Sequence, residues 1–181
     1  MLMSESVQAL EPHEIAARLV DEAGGRLVGR TRLQKVACLA KLAGYLPEFD
    51  FEYRHYGPFS ETLAGSMEIA AGLHLVNEKP EKADWGGWYS VYSKTELTPV
   101  GHDDGRRRFI SEAAKVGPIA LELAATAAFL NAVEGLPASE CWAETARRKP
   151  EKADGGRLEV AKRAYATLLH LASPHPLPAI V

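Results

Sequence analysis

Cysteine is scarce: the 181 residues contain two, Cys38 and Cys141, far apart and outside any Cys-x-x-Cys or Cys/His set. A disulfide framework and a zinc site are therefore not expected, and both thiols read as reduced core residues. No apolar run is long enough to span a bilayer. The stretch from Met1 to Glu11 carries Glu5 and Glu11 without a basic n-region, so neither a leader nor an anchor is expected and the reading is cytoplasmic. The motifs of common catalysts are missing as well: no His-Glu-x-x-His, no Walker A loop, no dinucleotide fingerprint and no Gly-x-Ser-x-Gly elbow. Of the six histidines, His13, His55, His74, His102, His170 and His175, only His102-Asp103-Asp104 approaches ligand clustering, and a helix cap explains those aspartates better. Neither an enzyme nor a bound cofactor or metal is expected. Net charge is small too, −3, so attraction to nucleic acid would have to come from a local patch.

What the chain does hold is helical periodicity. Ile15, Ala16, Leu19, Val20 and Ala23 recur at helical spacing from His13 and stop at Gly24-Gly25; Leu33, Val36, Ala37, Ala40 and Ala43 do so from Thr31 and stop at Gly44. Phe49, Phe51 and Tyr53 alternate with Asp50, Glu52 and Arg54, predicting a short extended segment ended by Gly57-Pro58. Ser60 then caps a third helix through Leu63, Met67 and Ala70. Leu73, Leu75 and Val76 begin one strand, and Trp88, Tyr89, Val91 and Tyr92 make another, with Asn77 to Gly87 as a long tip. Downstream everything is helix: Asp103 or Asp104 caps one, Ile119 to Val133 is apolar enough to be buried, Ser139 to Trp142 starts a short one, and Leu158, Ala161, Tyr165, Leu168 and Leu169 line the last. The expected fold is mainly α with a small β-hairpin: a winged-helix-like N-terminal core plus a C-terminal helical extension. Its divisions are a flexible N-terminus over 1–12, the core over 13–100, the extension packed on it over 101–173, and a proline-rich tail over 174–181. One hexapeptide occurs twice, Lys79 to Asp84 and Lys149 to Asp154, with the composition of an exposed turn.

Two short signatures, Leu33-Gln34-Lys35 on the second helix and Tyr56-Gly57-Pro58 before the third, resemble those of the YwgA-like bacterial proteins and, more distantly, of the Panacea (SocA-like) antitoxin domain. The likeness extends through Leu121 to Leu130 and the segment Arg147-Arg148-Lys149-Pro150-Glu151. A Panacea resemblance implies neutralising a toxin or handing a client to a protease, with no chemistry from this chain.

From these residues two functional readings follow. In the first, a regulatory or interaction module binds a protein partner through Arg30, Arg32, Gln34, Lys35 and Tyr56 on one exposed surface, with Trp85 on the wing as a further anchor. Trp88 is expected beneath the wing, in the core. The plainer reading of the signatures makes Leu33 core, Gln34 and Lys35 braces for the neighbouring loop, and Gly57-Pro58 a turn. In the second functional reading, a transcription regulator contacts phosphates with Arg26, Arg30, Arg32, Lys35 and Lys41, since no acidic residue falls between Gly24 and Pro47, and dimerises through Leu121 to Leu130 or Leu158 to Leu169. Glu61 and Glu68 on the third helix, which carries no Lys or Arg, oppose groove reading. Arg106-Arg107-Arg108 opens a helix, where the dipole disfavours cations, and Asp103 and Asp104 are expected to offset it.

Overall fold

The computed structural model describes residues 9–180, and the expected flexible N-terminus falls largely outside them, over 1–8. Helix α1 (Pro12–Glu22) starts with proline at its first position and with the Glu14 carboxylate accepting the Glu11 N–H at 2.9 Å. It ends at Gly24-Gly25. Strand β1 (Arg26–Val28) follows, then α2 (Arg30–Leu42), the hairpin β2 (Glu52–Arg54) and β3 (Gly57–Phe59), helix α3 (Glu61–Gly72), and strands β4 (Val76–Lys82) and β5 (Trp88–Lys94), the hairpin expected as a wing. β1, read as a linker from its residues, pairs antiparallel with β5, Leu27 opposite Tyr92, which makes a sheet of order β1-β5-β4. Three residues cannot display a period; this strand exists because a partner sixty-odd residues away supplies its hydrogen bonds.

The mainly α architecture with a small antiparallel sheet is borne out, and Ser60 caps α3 through its hydroxyl on the Leu63 N–H at 3.2 Å. Details shift. The extended segment expected from Phe49 begins only at Glu52, with Phe49 buried in the preceding loop. Leu73 and Leu75 close α3 instead of starting a strand. The wing's long tip contracts to a turn at Ala83–Gly87, because Asn77 to Lys82 pair residue for residue with β5. Trp88, expected in the core, is 68% exposed: its register opposite Lys82 places it at the outer end of the hairpin, beyond the reach of the helices.

The C-terminal half comprises α4 (Asp104–Lys115), α5 (Pro118–Ala132), a 3-10 turn (Ala138–Glu140), α6 (Cys141–Arg148), α7 (Pro150–Ala153) and α8 (Arg157–Leu169). Alanines at 124, 125, 127 and 128, all fully buried, let α5 sit close between α2 and α8. One hydrophobic cluster therefore runs from Ile15 through α2 and α5 to Tyr165 and on to Leu177 and Ile180. The C-terminal segment docks, with the Tyr165 hydroxyl donating to the Pro178 carbonyl at 2.7 Å and His175 N–H to the Ala43 carbonyl at 3.0 Å. Of the two expected dimer seams, Leu121 to Leu130 is spent inside the protein, Leu121, Leu123 and Leu130 being fully buried, whereas α8 packs on α5 through Ala161, Tyr165 and Leu168 and leaves Val160 exposed.

Asp103 caps α4, accepting the Arg106 N–H at 2.9 Å. The arginines behind it are offset elsewhere than expected: Arg106 pairs with the buried Glu22 at 3.0 Å and Arg107 with Asp21 at 2.6 Å, so the end of α1 and the start of α4 are joined by ion pairs. The repeated hexapeptide takes two conformations. Lys79 to Asp84 is hairpin strand and turn, whereas Lys149 to Asp154 holds the short helix α7 between its caps, Asp154 and the buried Lys149. Identical local propensities are overridden by different neighbours.

Candidate functional site at the hairpin junction

The two sequence signatures meet. The Gln34 side-chain amide donates to the Ser60 carbonyl at 3.0 Å and its oxygen accepts the Ser60 N–H at 2.8 Å, while Lys35 Nζ donates to the Pro58 carbonyl at 2.7 Å. Both side chains are buried, at 3% and 2% exposure. They brace the β3–α3 junction, the plainer of the readings above, and the exposed patch expected from them is not formed. Arg32 leaves it too, its guanidinium turned to the Ala114 and Val116 carbonyls at the end of α4. Gly57 belongs to the same brace. Its φ of +86° suits glycine, and a Cβ there would lie 2.9 Å from Thr126 Oγ1 on α5.

Behind the hairpin, α5 presents Glu122 to two lysines of the α6–α7 corner. Lys149 Nζ lies 2.7 Å from one carboxylate oxygen and Lys152 Nζ 2.6 Å from the other. Burial opposes ionisation of Glu122, but hydrogen bonds from Lys149 and Lys152 outweigh it and hold the carboxyl below its ordinary range. Lys35 shares this environment: burial brings its ammonium down to about 8, against the attraction of Glu122 and with the repulsion of Lys149 and Lys152. Arg148 spans Glu134 at 2.8 Å and Glu144 at 2.7 Å and lies 4.7 Å over the Tyr53 ring; Lys152 lies 5.6 Å from the centre of the Tyr56 ring. Thr126 Oγ1 is buried without a hydrogen-bond partner among the described residues.

Sequence reasoning missed Glu122, Thr126 and Lys152 here. A lone carboxylate inside an otherwise apolar helix was the available signal, since such a group must meet a cation or cost several kcal/mol, about 3–5 when a partner is lost.

On the other face of the hairpin, a cleft of about 380 Å³ opens between α2, α3 and the base of the wing, lined by Arg30, Lys35, Tyr56, Met67, Glu78 and Tyr92 among others. Arg30 crosses it to Glu78 at 2.9 Å. Tyr56, 60% exposed, stands on its rim. The remaining basic candidates lie apart: Arg26 faces Glu81 at 3.9 Å, and Lys41 donates to the Pro47 carbonyl at 2.9 Å. The continuous positive surface expected from Arg26, Arg30, Arg32, Lys35 and Lys41 is thus broken up, because successive side chains on α2 point in different directions and most have found acceptors in the chain itself.

No family model matches the chain. Over 73 residues it is 34% identical to "Uncharacterized protein YwgA" of Bacillus subtilis (strain 168), a stretch covering 40% of this chain and 43% of that protein. Over that stretch the chain resembles YwgA. The match spans less than half of YwgA's length, so it carries a family likeness and no activity.

The tip of the β4–β5 hairpin is the most exposed apolar feature among the described residues. Trp85 and Trp88 are 80% and 68% exposed. The turn between them is closed by Gly86 N–H on the Ala83 carbonyl and Ala83 N–H on the Gly87 carbonyl, each 2.8 Å, and the Trp85 ring lies over Gly87, where a Cβ would force the ring to shift. Cys38 and Cys141 are buried and unbridged. Among the described residues, no three His, Cys, Asp or Glu side chains are grouped to hold a metal, and no helix is long and apolar enough to cross a membrane.

Proposed function

We propose that this is a non-enzymatic, cytoplasmic interaction module that binds a protein partner through the wing tip and the cleft at the wing's base. The carrying observation is the pair of exposed tryptophans on a glycine-closed turn. Large aromatic area displayed to solvent is what interface hot spots are made of. The cleft continues from the wing base, where Glu78 and Tyr92 line it, and offers a mixed polar and apolar seat with Tyr56 at its rim. By resemblance to the Panacea domain, the partner would be a toxin that is masked or a client that is delivered. Pull-down from native lysate with nuclease present tests this: the wild type retains a protein that Trp85→Ser/Trp88→Ser does not. Equal recovery by both chains would sink the wing reading.

A second reading rests on connectivity. The order α1-β1-α2-α3-β4-β5, with the β2–β3 hairpin inserted between α2 and α3, and the sheet order β1-β5-β4 support a winged helix, a frequent DNA-binding scaffold. Lys79 and Lys82 on the wing would then meet phosphates, although α3 offers Glu61 and Glu68 without a cation. Duplex binding that weakens steeply with salt and is lost in Lys79→Glu/Lys82→Glu would establish this reading; no binding at roughly 50 mM salt would dismiss it.

A further inference from the structure

We propose that the pocket between the tip of the β2–β3 hairpin and the α6–α7 corner is a binding site for an oxyanion, the carboxylate or phosphate head of a ligand. It lies behind the hairpin, away from the wing tip, and shares Tyr56 with the cleft of the reading above.

Three ammonium groups, Lys35, Lys149 and Lys152, act on one another and on a single largely buried carboxylate, Glu122; with Glu151 on the pocket rim counted, one positive charge is left in excess. Each of the three donates one hydrogen bond among the described residues: Lys35 to a carbonyl, Lys149 and Lys152 to opposite oxygens of Glu122. An ammonium carries three N–H donors, so the carboxylate satisfies only part of the donor capacity it faces. Arg148 does not relieve the imbalance, being already matched by Glu134 and Glu144.

The excess charge has an opening to solvent. Lys149 and Lys152 line a pocket with His55, Tyr56, Arg148 and Glu151, about 380 Å³ in volume. Lys149 is 5% exposed along its side chain and Lys152 37%, so one ammonium forms the wall and the other stands at the mouth. An anion entering there gains two partly desolvated cations and the Tyr56 edge of the hairpin. Both lysines are preset by Glu122, so little side-chain freedom is lost on binding. Glu151 on the rim is the opposing charge and favours a compact oxyanion head over an extended acidic surface.

The test is a titration of the full chain with sodium phosphate, and separately with sodium acetate, at constant ionic strength, following backbone amide resonances by NMR. Saturable shifts confined to residues 55–57 and 148–152 are expected for at least one anion; saturation by phosphate alone assigns a phosphoryl head, and saturation by acetate a carboxylate. Lys152→Gln, at a half-exposed position where folding is not endangered, should weaken the binding at least tenfold, whereas Lys162→Gln on the surface of α8 should leave it unchanged. Shifts that stay linear for both anions, or affinities equal in the two variants, overturn the proposal.

Discussion

Replacing Glu122 with Gln tests the account of the hairpin junction most directly. The side chain keeps its shape and one acceptor oxygen but loses its charge, leaving Lys149 and Lys152 facing each other. At the observed 2.7 Å, an effective dielectric of about 20 puts the gross Lys149–Glu122 attraction near 6 kcal/mol. Desolvation of both ions offsets much of that, and removing one partner of a buried pair costs about 3–5 kcal/mol net. Glu122→Gln retains a hydrogen bond, so the lower end applies, about 3 kcal/mol. With a urea slope of roughly 2 kcal/mol per molar, the unfolding midpoint should fall by about 1.5 M. Lys152→Gln should lose less than about 1 kcal/mol, because that lysine is 37% exposed and its pair is screened by water. Urea unfolding followed by circular dichroism reads both. A Glu122→Gln midpoint within about 0.3 M of the wild type, or a Lys152→Gln loss of equal size, would refute the view that Glu122 anchors the α6–α7 corner.

Lys35 supplies a pH signature. Burial lowers its folded value to about 8 from 10.5, so between those values the unfolded chain holds a proton that the folded chain has released. Stability from this group therefore rises as pH climbs from about 8 to 10.5 and is lost again on the way down, a gap of roughly 3 kcal/mol at most. The difference between wild type and Lys35→Met, measured by denaturation across that window, should carry this slope; a flat difference contradicts it. Gly57→Ala should destabilise by about 2 kcal/mol, from a left-handed backbone and the contact with Thr126 Oγ1, and Thr126→Ala added to it should recover only the contact part. Thermal unfolding decides, and a neutral Gly57→Ala disproves the strain. Tryptophan emission should be mostly red-shifted and quenched by acrylamide, since Trp85 and Trp88 are exposed and only Trp142 is buried. Trp85→Ser/Trp88→Ser should leave a protected blue emission and change stability by less than about 0.5 kcal/mol; protected emission from the wild type would place the wing tip elsewhere.

Local pattern made the helices legible. The stripes around Leu19, Leu33 and Leu123, the Ser60 and Asp103 caps and the glycine stops depend on neighbours within four residues, and each appears where it was expected. Trp88 was misplaced for the opposite reason: aromatic residues in a strand read as core, yet burial depends on how far the hairpin projects beyond the helices.

What the sequence determined by itself was the helical frame, the apolar α5 and the two signatures, because periodicity and capping are short-range. Only the tertiary structure decided how charge is spent. Arg32, Lys35 and Lys41 look like one basic face on paper, and each is turned to a different acceptor: the α4 carbonyls, Pro58 and Pro47. The repeated Lys-Pro-Glu-Lys-Ala-Asp is strand in one place and helix in the other. Glu122 gathers Lys149 and Lys152 from about thirty residues away. Coulomb attraction and hydrogen bonding act through space once the core has brought distant segments together, and no window along the chain contains that information.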